Sequence, residues 1–196
     1  NGHSALMAAA QEGHEEVTQL LLDHGADVAA ASNNGRTVLI HAAIGGSEAV
    51  TKLLLDHDAN VAVADINGVT ALMAAAHGGH EKLTKVLLEN GANVAAADNN
   101  GQTALMAAAQ EGHEEVTQLL LDHGADVAAA SNNGRTVLIH AAIGGSEAVT
   151  KLLLDHDANV AVADINGVTA LMAAAHGGHE KLTKVLLENG ANVAAA

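Results

Sequence analysis

Along Asn100–Asn132 ("NGQTALMAAAQEGHEEVTQLLLDHGADVAAASN") the apolar residues fall at helical spacing. Leu105, Ala108 and Ala109 stand at i, i+3 and i+4, and Val116, Leu119 and Leu120 repeat that spacing after a short break. The break is Gly112, which ends the first stripe. Thr103 ahead of it is a good N-cap, because its hydroxyl can accept one of the free amides of a first helical turn. The second stripe begins near His113, with Glu114 and Glu115 where the helix dipole favours negative charge. Gly124 suits the left-handed residue that closes a helix. The tail "ADVAAASN" reads as extended, and Asn100-Gly101 as a turn, since both residues tolerate positive φ. Two such short helices cannot bury their stripes alone, so neighbouring units must stack.

The pattern recurs every 33 residues, marked by Asn1-Gly2, Asn34-Gly35 and Asn67-Gly68, and the chain holds six units: about 1–33, 34–66, 67–99, 100–132, 133–165 and 166–196. A stronger identity lies above it. Shifted by 99, Ala5–Ala97 matches Ala104–Ala196 at all 93 positions, while just ahead of that block His3-Ser4 stands against Gln102-Thr103. The unit of folding is therefore 33 and the unit of copying 99. Because irregularities are copied intact, the block looks like a duplicated triplet, arisen in a genome, made by joining segments, or drawn from a long periodic array.

These units closely resemble the ankyrin repeat. The residues that carry the likeness are Gly101, Thr103, Leu105, Ala108, Ala109, Gly112, His113, Leu119, Leu120, Gly124, Ala125, Asp126 and Val127, with their counterparts in the other units. The resemblance covers the whole chain. It implies an all-α solenoid of stacked helix-turn-helix units with β-turn fingers, forming a single domain over residues 1–196. Two departures stand out. The family's T-P-L-H opening is T-A-L-M, T-V-L-I or, in the first unit, S-A-L-M, so the pre-organising proline is gone. Asp58 and Asp157 replace the glycine expected after the second helix, at a cost of roughly 1 kcal/mol if that site is left-handed.

Composition adds two constraints. With 49% apolar residues but no Phe, Tyr or Trp, the chain lacks the bulky anchors of a compact globule. A thin stack of Ala- and Leu-faced helices does not need them. The formal charge of -15, from 23 acidic and 8 basic side chains, repels phosphate backbones and points away from nucleic acid. It favours a basic protein partner. No apolar run approaches the roughly 18 residues of a membrane span, and no signal-peptide pattern opens the sequence.

Candidate chemistry is sparse. His77-Gly78-Gly79-His80, repeated at His176–His179, invites a metal reading. The family likeness gives the stronger structural one: His80 and His179 occupy its G-H position, where the imidazole bonds nearby loop backbone. The acids of Gln11–Glu16 form a solvated face with no closed pocket to desolvate them, and no phosphate-loop motif occurs. Catalysis, cofactors and metals are therefore not expected.

The informative positions are those that vary while the scaffold repeats. At turn tips these are Arg36, Val69, Gln102, Arg135 and Val168; before the turns, Asp65, Ile66 and Ile165; at first-helix ends, Ile44, His77, Gln110, Glu111, Ile143 and His176. His41 and His140 join them, since the resemblance implies that their position faces the concave groove. The resulting expectation is a non-enzymatic protein-interaction module or scaffold that reads its partner with turn tips and first-helix surfaces. The alternative is a structural building block of a long or head-to-tail polymerising superhelix.

Overall fold

The computed structural model describes residues 2–195; Asn1 of the first Asn-Gly turn and Ala196 of the last unit lie outside the described residues. Its helices come in six pairs, grouped as two units of three repeats, Asn1–Asn99 and Asn100–Ala196. In the first unit the pairs are α1 (Ala5–Gln11) with α2 (Glu15–Asp23), α3 (Val38–Gly45) with α4 (Glu48–Asp56), and α5 (Ala71–His77) with α6 (Glu81–Glu89). In the second they are α7 (Ala104–Glu111) with α8 (Glu114–Asp122), α9 (Val137–Gly144) with α10 (Glu147–Asp155), and α11 (Ala170–His176) with α12 (Glu180–Glu188).

Local chemistry sets the ends. Thr37, Thr70 and Thr103 each accept the amide three residues on, from Ile40, Met73 and Met106. Gly112 closes α7 at φ +79°, as its position in the sequence predicts. Asp58 and Asp157 follow α4 and α10 at φ +63° and +64°, so the left-handed site is real and is held by a residue with a Cβ. Between repeats the chain forms hairpin-like fingers, each closed by one bridge: Ala31 with Thr37 and Ala64 with Thr70 in the first unit, Ala130 with Thr136 and Ala163 with Thr169 in the second.

Within each unit the first helices pack side by side, α3 between α1 and α5 and α9 between α7 and α11. The second helices form a parallel outer layer, α4 between α2 and α6, α10 between α8 and α12. The core lies between the layers and includes Leu39, Ile40 and Leu54, with Leu138, Ile139 and Leu153 in the second unit. Small residues let the inner helices approach closely. A Cβ on Gly45 would fall on the carbonyl oxygen of Gln11, and one on Gly144 on that of Gln110. Backbone contact of this kind supplies close packing without aromatic bulk.

Candidate partner-binding surface

In one finger of each unit, Ala64–Thr70 and Ala163–Thr169, the tip is built around an acid that stays inside. The carboxylate of Asp65 is buried, and its Oδ1 accepts the amides of Asn67 at 2.8 Å and Val69 at 3.0 Å. Its Oδ2 accepts from Arg36 Nε, at 3.2 Å, on the preceding finger. The second unit repeats the clamp: Asp164 Oδ1 takes the amides of Asn166 and Val168, and Oδ2 pairs with Arg135 Nε at 3.2 Å. The Val168 amide above all, then Asn166 and the Arg135 guanidinium, hold the Asp164 carboxyl below its usual range, against the opposing pull of burial.

The clamp turns the next side chain outward. Ile66 follows Asp65 and is 65% exposed; Ile165 follows Asp164 and is 74% exposed. Their amides donate to Asn34 and Asn133 carbonyls on the preceding fingers, both at 3.0 Å. Asn99 adds a side-chain bond to the Ile66 carbonyl at 3.0 Å. Two isoleucines are thus displayed on a hydrogen-bonded backbone rather than on a free loop. Val63 and Val162 are exposed close by in sequence, and Val69 and Val168 are half-buried.

The other positions singled out by variation are distributed as follows. Ile44 and Ile143 are exposed at the ends of α3 and α9, and His77 and His176 at the ends of α5 and α11. Gln102 and Glu111 are exposed, Gln110 half-buried, and Arg36 and Arg135 half-buried through their carboxylate pairs. Two expectations change. His41 and His140 are inside, only 6% and 2% exposed, with Nδ1 bonded at 2.9 Å to Oε1 of Gln11 and Gln110 respectively. Burial, then the nearby His3 and Arg36, lower the His41 pKa; burial and Arg135 lower that of His140. Asp65 likewise acts from the interior, by placing Ile66.

The G-H histidines also differ from the family expectation. The His80 ring packs over the backbone of Gly46 in the preceding repeat and Gly78 in its own, and His179 lies likewise over Gly145 and Gly177. The glycines leave a flat surface on which the ring seals the junction by packing. Asp164, Val63 and Val162 were missed from sequence. Asp164 could have been found as the 99-residue twin of Asp65, since Arg135 precedes it by the same 29 positions as Arg36 precedes Asp65.

Among the described residues no three His, Cys, Asp or Glu side chains converge as a metal site, and no helix is long and apolar enough to cross a membrane. The model of the family described as ankyrin repeats matches residues 1–65, 58–131 and 128–196. No curated protein matches the chain.

Proposed function

The chain belongs to the ankyrin-repeat family, and from that premise we propose that it is a non-enzymatic protein-binding module whose contacts are made by finger tips and first-helix ends. The observation that carries this reading is the display of Ile66 and Ile165 on clamped tips. A large aliphatic side chain held outward by a fixed backbone loses little entropy on binding. Ile44 and Ile143 extend the apolar contact on the first helices. The charge of -15 selects a basic partner and makes its approach salt-sensitive.

Selection from a random peptide library against the immobilised chain tests this. Selected peptides are enriched in Lys and Arg, bind more weakly in high salt, and lose about tenfold in affinity, or roughly 1.4 kcal/mol, when Ile66→Ser and Ile165→Ser are combined. Peptides indifferent to both the substitutions and salt would overturn the reading.

Apolar surface on the first and sixth repeats favours a second reading, as a building block that associates head to tail. Val17 and Leu20 on α2 are 47% and 57% exposed, whereas Val50 at the matching place on α4 is buried. On the last repeat, Leu171, Met172, Leu187 and Val193 line an open apolar groove. Sedimentation equilibrium discriminates: a mass that stays monomeric as concentration rises a hundredfold removes this reading.

A further inference from the structure

His41 and His140 share a feature that nothing in partner binding explains. In each, Nδ1 faces a glutamine Oε1 and so carries the proton, while Nε2 is buried without a hydrogen-bond partner. The two sites belong to separate units and repeat the same geometry. We propose that His41 and His140 are acid-sensitive latches that fasten the middle repeat of each unit to the preceding one, and that protonation of Nε2 opens the first-helix layer.

The physics rests on what surrounds the ring. A proton added to Nε2 creates an enclosed N–H⁺ with no acceptor, in a site that offers no carboxylate to balance it. In the first unit α1 carries no titratable side chain before Glu12 at its C-cap, α5 only His77 at its last residue, and α4 carries Glu48, Lys52 and Asp56, of which Glu48 and Lys52 pair with each other. From the fingers come Arg36 and His3, both basic. In the second unit α7 offers only Glu111 and α11 only His176, each at its last residue, while α10 carries Glu147, Lys151 and Asp155, with Glu147 and Lys151 paired; Arg135 is the charged group that acts on the ring. The charged imidazole must therefore reach water. Doing so withdraws it from Gln11 or Gln110 and loosens α3 from α1, or α9 from α7.

The two latches are not equal, and the reason lies in the copying. One of the two positions that differ just ahead of the 93-residue identity is His3 against Gln102. The His3 ring meets the His41 ring edge-on, with centroids 4.7 Å apart and planes at 89°. Once His3 takes a proton it opposes a second one on His41. The second unit has no such neighbour at that place.

The linkage has a definite sign. The closed state keeps the ring neutral, and the open state exposes an ordinary imidazole, so acid favours opening below about pH 6.5. Between pH 7.5 and 5.0 the opening constant of each latch rises about 30-fold while the closed ring stays neutral. Two measurements on the full chain test this: imidazole titration by NMR, and amide exchange of α3 and α9 corrected for intrinsic rates. Both rings are expected to stay neutral with the proton on Nδ1 at pH 6.5, and both helices to lose protection on acidification. His3→Gln, which gives the first unit the residue that Gln102 supplies in the second, raises the pH at which His41 titrates and leaves His140 alone. Gln102→His lowers it for His140. Titration of His41 and His140 at the ordinary imidazole pH, or protection in α3 and α9 that is the same at pH 7.5 and 5.0, would overturn the proposal.

Discussion

Replacing Asp58 and Asp157 together by glycine is expected to raise the stability of the protein by about 1–2 kcal/mol in total. Both residues sit at left-handed φ, +63° and +64°, one position past the C-cap of their helices. A Cβ in that conformation costs roughly 1–2 kcal/mol, and aspartate feels less of this than most residues. Glycine gives back about 0.4–1 kcal/mol through the greater freedom of its unfolded chain. Removing an acid next to the negative end of a helix adds a few tenths of a kcal/mol in the same direction. The balance is about 0.5–1 kcal/mol at each site. Sterics do not enter: at the matching Gly25, Gly91, Gly124 and Gly190, a Cβ would meet nothing within 4 Å. The converse change, Gly25→Asp, should therefore destabilise by a similar amount, through backbone conformation alone. Urea unfolding followed by circular dichroism is the assay. With a slope of about 2 kcal/mol per molar urea, the double variant moves the midpoint up by roughly 0.5–1 M. An unchanged or lower midpoint would refute the backbone explanation, and Asp58→Asn separates the charge contribution.

Gly45→Ala and Gly144→Ala test how closely the inner helices approach. Alanine favours a helix by about 1 kcal/mol, but here its Cβ meets a backbone carbonyl that cannot rotate away, so each change is expected to lower stability by about 1–3 kcal/mol net. A higher thermal midpoint would mean that α1 and α3, or α7 and α9, separate without loss. The Asp164 clamp predicts acid sensitivity at the second finger. Its folded-state pKa is lowered, so its contribution is fully present above the ordinary value of 3.8 and is lost as pH falls below it. Asp164→Asn should flatten that part of the stability–pH curve, measured by chemical unfolding between pH 5 and 2. A curve identical to that of the unchanged protein would show that the clamp is already broken in the folded state.

How much could be read in advance depended on sequence separation. Thr103 and Gly112 act on backbone within four residues of themselves, and the cap and the left-handed φ follow from residue type. Asp58, by contrast, is left-handed because of its place after the helix and against its residue type. The finger clamp spans 29 residues, from Arg36 to Asp65, and the latch spans 30, from Gln11 to His41. Both are visible as spacings only once the stacking register is known. Asp65 stands out in the sequence only as a varying residue before a turn, and it is inside because two amides and a guanidinium converge on it.

The sequence by itself determined the repeat, its 33-residue period, the helix ends and the absence of aromatic anchors, because each is a local property or a direct count. Tertiary structure decided which of the varying residues reach solvent. A histidine expected on the groove became a buried tie, and an isoleucine after a buried acid became the most exposed large apolar side chain of its finger. The physical reason is that exposure in a stacked array is set by the neighbouring repeat. A residue's own helix fixes only the direction in which its side chain leaves the backbone; the repeat packed against it settles whether water is there.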